Sequence, residues 1–245
     1  MSDAEARRRR ADAFLTTGEE YHRLRPGYPE DAVSWMLPAG ALDVLDLGAG
    51  TGRLTDALVE RGLAVVAVDP SAAMLAVLGD RHPGVRRLVG SGEGLPLPDA
   101  SLDAVVVGQA WHWVDPVATA AEVARVLRPG GTLAMAWNVP VIRPGWQEEF
   151  EVVQRGRRGI DLAADDEVDA PLPGFGPREE FVTRWSREVA AEDYVLGYTT
   201  HSLFLVADPA EQERRLTRWR ELVSGAGPTV TQAFTTQVWR YRLAP

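Results

Sequence analysis

The residues of this 245-residue chain best spaced for chemistry are Asp46 and the turn that follows it, Gly48-Ala49-Gly50-Thr51-Gly52. Glycines at alternate positions let a backbone come close to a ligand. The helix expected from residue 51 offers N–H groups and the positive end of its dipole to an anion. A dinucleotide-binding turn requires G-x-G-x-x-G, and here the third glycine position is Arg53, so the pyrophosphate spacing fails. About 20 residues on, Asp69 stands where a carboxylate can accept both O–H bonds of a ribose. Ser91, Gly92 and Glu93 lie in one later loop and Gln109 in another, ahead of His112 between Trp111 and Trp113. An imidazole titrating near ~6.5 can take a proton from an acceptor, although the same ring can serve only to orient its loop.

The elements around these residues set where they lie. Short apolar runs at 41–47, 64–68, 85–89, 102–107 and 132–137 read as buried strands. Between them come helices over 51–61, over 71–78 with Ser71 as cap, and from the Asp115-Pro116 pair to residue 127, where Arg128-Pro129-Gly130-Gly131 breaks the helix before the fifth strand. Strand and helix in this rhythm imply right-handed crossovers and a parallel sheet covered on both faces. The first 138 residues therefore read as a Rossmann-like core. Ahead of it are a polar helix over 5–16, a turn-rich Tyr21–Pro29 and a helix over 30–37. Beyond it come an irregular stretch over 139–180 with a helix at 145–156, a strand at 181–189, helices over 191–206 and 208–224, and a last strand at 230–243.

Composition narrows the chemistry. The chain has no cysteine and no lysine, which excludes disulfides, thiol nucleophiles, cysteine-held metals, Schiff-base lysines and GK[ST] phosphate loops. A net charge of −9 argues against a duplex nucleic-acid partner. The four arginines Arg7 to Arg10 are followed by no apolar stretch, and no run approaches ~18 apolar residues, so neither a leader nor a membrane partner is expected and the location reads as cytoplasmic. Arg7 to Arg10 read as a solvated helix face. His22, His82 and His201 show no metal-ligand spacing, and no metal is expected. Trp137 and Trp146 are placed to wall a pocket together with Trp111 and Trp113, whereas Trp35, Trp185, Trp219 and Trp239 fit core faces.

The stretch Val44-Leu45-Asp46-Leu47-Gly48-Ala49-Gly50-Thr51-Gly52 resembles the first motif of class I S-adenosylmethionine-dependent methyltransferases. Gly90-Ser91-Gly92-Glu93-Gly94-Leu95-Pro96 resembles their adenine-holding loop, and Arg125-Val126-Leu127-Arg128-Pro129-Gly130-Gly131 their entry to strand five. Tyr21, Arg25-Pro26, Tyr28-Pro29 and Gln109-Ala110-Trp111-His112-Trp113 look like the small-molecule methyltransferases related to trans-aconitate methyltransferase.

The resemblance implies an α/β fold, a seven-stranded, mostly parallel sheet with helices on both faces and an antiparallel last strand. It divides the chain into a lid over 1–40, a cofactor-binding core over 41–138, and a C-terminal half over 139–245 whose inserts choose the substrate. It implies S-adenosyl-L-methionine as cofactor, with Asp46 facing its ammonium, Asp69 its ribose, and Ser91 with Gly92 and Glu93 its adenine. Gly48, Ala49, Gly50, Gly52 and Gln109 would line the same cleft, and Tyr21 and Arg25 would reach the cofactor carboxylate or the substrate. The expected partner is a small molecule methylated at a carboxylate or hydroxyl oxygen by a monomer or homodimer, with His112 as base where a proton must leave. Two other readings remain: a nicotinamide-dependent oxidoreductase, and a non-catalytic cofactor-binding protein on the same fold.

Overall fold

The computed structural model describes residues 18–155 and 171–244. The helix expected over 5–16, with Arg7 to Arg10, lies outside them. The described residues form two compact units, each discontinuous in sequence. A core unit takes 26–139, 171–183 and 236–244, and an insert unit takes 18–25, 140–155 and 184–235. The stretch expected to act as a lid thus contributes to both, with the division after Arg25.

The core unit is built on β1 (Asp43–Leu47), β2 (Ala64–Asp69), β3 (Arg86–Val89), β4 (Leu102–Gly108) and β5 (Leu127–Pro140), all parallel to one another. With β6 (Glu179–Ala190) and β7 (Thr229–Arg242) the sheet runs β3-β2-β1-β4-β5-β7-β6, parallel but for its antiparallel end. Period-two alternation sends neighbouring side chains to opposite faces, which explains the near-continuous apolar runs. Leu45, Val105, Leu133 and Met135 join one core cluster with Ala120, Val123 and Val126 of α5 (Pro116–Val126). Val44, Ala104, Val106 and Ala134 join the other, under α2 (Glu30–Met36), α3 (Arg53–Glu60) and α4 (Ala72–Arg81). Each helix start follows its local chemistry: Ser71 accepts from Met74 N at 3.2 Å, and Asp115 accepts from Val117 N and Ala118 N before Pro116.

Two expectations need correction. The Arg128–Gly131 stretch does not precede the fifth strand but lies inside it. Leu127 pairs with Leu102, the register shifts, and Thr132 pairs with Ala104, so a bulge absorbs the Pro-Gly-Gly while Arg128 bonds Asp103 Oδ1 at 2.6 Å. The Tyr21–Pro29 stretch is not all turn either, because a helix, α1 (Glu19–Leu24), runs until Pro26 makes continuation impossible.

The insert unit packs α6 (Trp146–Arg155), α7 (Ala191–Thr199), α8 (Ser202–Leu205) and α9 (Pro209–Val223) around Phe150, Tyr194, Tyr198, Phe204 and Trp219. The helix expected over 191–206 is therefore two, interrupted at Thr200-His201. Trp219 is fully buried, stacked 5.1 Å from Phe150, and donates its indole N–H to the Phe150 carbonyl. No described helix is long and apolar enough to cross a membrane.

Candidate active site

The strand order reverses between β1 and β4, and in an open parallel sheet the crevice for a ligand lies beyond the carboxyl ends of the strands at that point. The loops after β1, β2, β3 and β4 converge there through direct contacts. Gly48, Gly50 and Gly52 all have left-handed φ, at 72°, 54° and 94°, which a side chain would strain. Gly48 N and Ala49 N both donate to the Val68 carbonyl, at 2.8 and 3.1 Å, tying the turn to the end of β2. A Cβ on Gly48 would collide with Ala110 Cβ, so the first and fourth loops touch where only glycine leaves room.

Asp69 closes this turn. Its Oδ2 accepts from Gly50 N and its Oδ1 from Ser71 N, each at 2.8 Å, and Gly90 N donates to its backbone carbonyl at 3.2 Å. Burial raises its pKa, and the two backbone N–H groups oppose that shift. A carboxylate oxygen accepts two hydrogen bonds, so one acceptor site remains on each oxygen.

Asp46 lies deeper. Its Oδ2 accepts from Thr55 Oγ1 at 2.6 Å, and its Oδ1 is buried with no partner among the described residues. Burial above all, with the nearby Asp69 charge adding to it and the Thr55 bond opposing it, pushes the Asp46 carboxyl up to about 7. Thr55 was not singled out from the sequence; its place on the buried face of an N-terminal helical turn, nine residues after Asp46, was the available signal.

In the third loop the Ser91 side chain bonds Glu93, whose Oε1 accepts from Asp115 N at 2.7 Å. Gly92 is buried against Thr119, with no space for a Cβ. Gln109 has a φ of 58°, unusual for a residue with a side chain, and its Nε2 donates to the Asn138 carbonyl at 3.0 Å. Such strain persists only where the surroundings over-determine it. Asn138, unmarked by the sequence, supplies part of that framework: its Nδ2 donates to the Gly27 carbonyl at 2.8 Å and its Oδ1 accepts from Thr236 Oγ1 at 2.6 Å.

Trp111, His112 and Trp113 form one 3₁₀ turn after β4. His112 is exposed and its ring lies 4.5 Å from that of Trp113. Two tryptophans expected to wall a pocket are core residues instead. Trp111 is buried in the cluster with Leu47 and Val107, and Trp137 packs 4.4 Å from Trp239. Tyr21, Arg25 and Trp146 belong to the insert unit: Arg25 sits 5.0 Å over the Tyr21 ring, and Trp146 is edge-on to Tyr194. A cavity of about 690 Å³ in the core unit, lined by Asp43, Ala64, Arg86 and Leu102, opens at the amino ends of the strands, away from these loops.

Comparison with known proteins bears on the same loops. Residues 45–135 match a family described as a methyltransferase domain. The chain is 43% identical over 219 residues, 88% of each chain, to an uncharacterised methyltransferase of Mycobacterium tuberculosis. It is 36% identical over 166 residues, 66% of this chain and 61% of the other, to a malonyl-[acyl-carrier protein] O-methyltransferase of Pectobacterium atrosepticum. A solved structure of a putative type II methyltransferase from Anaeromyxobacter dehalogenans shares the fold, with a TM-score of 0.66 at 24% identity over 90% of this chain and 99% of that one. Its likeness to the mycobacterial protein extends well past the matched domain, and the chain belongs to the class I S-adenosylmethionine-dependent methyltransferases.

Proposed function

We propose that the protein transfers the methyl group of S-adenosyl-L-methionine to an oxygen, carboxylate or hydroxyl, of a small molecule. The observation that carries the reading is Asp69, whose two oxygens each keep one acceptor site at the end of β2, matching the two vicinal hydroxyls of a ribose. The glycine turn fits the same ligand, since Gly48, Gly50 and Gly52 remove the side chains that would fill the cradle. Ser91, Gly92 and Glu93 form the adenine edge of the site, and Asp46 lies behind the turn, its Oδ1, unpartnered among the described residues, an acceptor for the ammonium. Ala49 and Gln109 border the cleft between the first and fourth loops. Tyr21 and Arg25, expected to reach the cofactor, are held by partners in the insert unit and are left out of this assignment.

The donor, when bound, supplies an electrophilic methyl on a sulfonium. This chain's own residues hold the nucleoside and exclude water, and orientation of the reactants supplies the largest share of the rate, ~7–11 kcal/mol in well-oriented systems. A carboxylate acceptor needs no base. For a hydroxyl acceptor, exposed His112 beside Trp113 is the group able to take the proton. The oxygen acceptor is supported by the O-methyltransferase name of the Pectobacterium relative, and the net charge of −9 disfavours nucleic acid.

Isothermal titration with S-adenosylhomocysteine and with NADH tests the reading. Binding of the first and not of the second is expected; the reverse would overturn the cofactor reading.

A further inference from the structure

The crossover between β3 and β4 carries no helix. Parallel strands are ordinarily joined through one, which then covers a face of the sheet, yet residues 90–101 form only turns and irregular chain. Register shows which face loses that cover. Arg86 pairs with Val66 and Leu88 with Val68, and register partners send their side chains to the same side. Val66 and Leu88 pack, partly buried, on the cluster that holds Val68, Leu97 and Leu102. Arg86 therefore stands on that face as well. The next side chain, Arg87, turns to the opposite face, where its guanidinium fills the space beside Gly79 of α4.

The cavity of about 690 Å³ at the amino ends of the strands has Val66, Arg86, Leu97, Pro98 and Leu102 of this face in its lining. Small-molecule sites span ~300–1,000 Å³ and are mostly apolar, with a few polar groups to fix orientation. Its loop wall is held from α5. Arg125 donates to the carbonyls of Leu95 and Leu97 at 2.9 and 2.8 Å and pairs with Asp99 at 2.7 Å, while Leu95 N donates to Glu122 Oε2 at 2.8 Å. A wall fixed in advance spares a ligand the cost of ordering it. The charges along the lining are unequal. Asp43 is paired with Arg128 at 2.8 Å, and Arg81 and His82 both lean on Asp56, at 3.4 and 2.7 Å. Arg86, exposed, has no counter-ion among the described residues. The cavity thus joins an apolar floor to one unspent guanidinium.

We propose that this cavity binds an amphipathic monocarboxylate, its apolar body lying on Val66, Leu97 and Leu102 and its carboxylate paired with Arg86. The site lies at the end of the sheet opposite the glycine turn and stands apart from the cofactor assignment. The test titrates octanoate into the full chain, labelled at its leucine and valine methyls, while NMR follows those of Val66, Leu97 and Leu102. Octylammonium, with the same tail and the opposite charge, and acetate, with the charge and no tail, are titrated alongside.

Octanoate is expected to move the methyls of all three residues, octylammonium to bind more weakly, and acetate to move none of them. Arg86 is exposed and bonds no described residue, so its variants should melt with the wild type. Arg86→Gln should weaken octanoate about two- to fivefold, the worth of an exposed ion pair, and Arg86→Glu should reverse the order of octanoate and octylammonium. Octanoate that leaves the three residues unmoved, or that shifts methyls only elsewhere in the chain, overturns the proposal. So does an Arg86→Glu variant that keeps the wild-type preference, because the charge would then play no part in recognition.

Discussion

Asp69→Ala isolates the contribution of one carboxylate to ligand affinity. In the folded protein each oxygen spends one acceptor site on a backbone N–H at 2.8 Å, from Gly50 and from Ser71. Under the proposed function the two remaining sites take the ribose hydroxyls, each a charge-assisted bond worth about 1.5–3 kcal/mol. Losing both raises the Kd for S-adenosylhomocysteine at least about a hundredfold. That loss alone does not separate ribose contact from slackening of the turn, because the variant also frees Gly50 N. A 2′-deoxy analogue of S-adenosylhomocysteine makes the separation. The wild type should bind it about 10- to 150-fold more weakly than the parent, one bond's worth, and Asp69→Ala should bind the two alike. Calorimetry reads all four affinities. If Asp69→Ala still prefers the parent nucleoside by the wild-type factor, the hydroxyl contacts lie elsewhere and the ribose assignment is refuted.

Two further perturbations concern the same turn. Because burial raises Asp46 from the ordinary carboxylate range to about 7, the folded state holds a proton that the unfolded state has released between pH ~4 and ~7. Stability should therefore fall as pH rises through that window, by up to about 4 kcal/mol from this group. Asp46→Asn, which can still accept from Thr55, should flatten that slope in urea melts at a series of pH values, and an unchanged slope would show that Asp46 does not cause it. Gly48→Ala meets both a φ of 72° and the Ala110 methyl. It should cost about 1–3 kcal/mol, and Ala110→Gly added to it should recover the steric part; equal melting of the single and double variants would show that backbone strain alone sets the cost.

What was legible in the sequence was local. The glycine turn, the Ser71 and Asp115 caps and the apolar run of β4 depend on neighbours a few residues away, and each appears at its expected place. Contacts made across long sequence separations were not legible. The Pro-Gly-Gly after Leu127 carries the local signature of a break, yet pairing with β4 on both sides of it, and the Arg128–Asp103 bond, outweigh that preference. Trp111 and Trp137 have the residue type of a pocket wall, and only the packing of the turn after β4 and of β5 in the folded chain puts them in the core. Asp46 shows the same limit. Its position before the glycines was clear, but its partner Thr55 and its depth required the helix to be folded over it. Asn138 had no signal at all, since Gly27 and Thr236 reach it from opposite ends of the chain.

The sheet order carries a consequence for biosynthesis. β6 is made well before β7, and in the finished sheet β7 separates it from β5. While a ribosome is still adding the residues between them, β5 presents an open flank and β6 has no strand beside it, both of them templates for pairing with another nascent chain. Only when β7 enters between them are both edges closed.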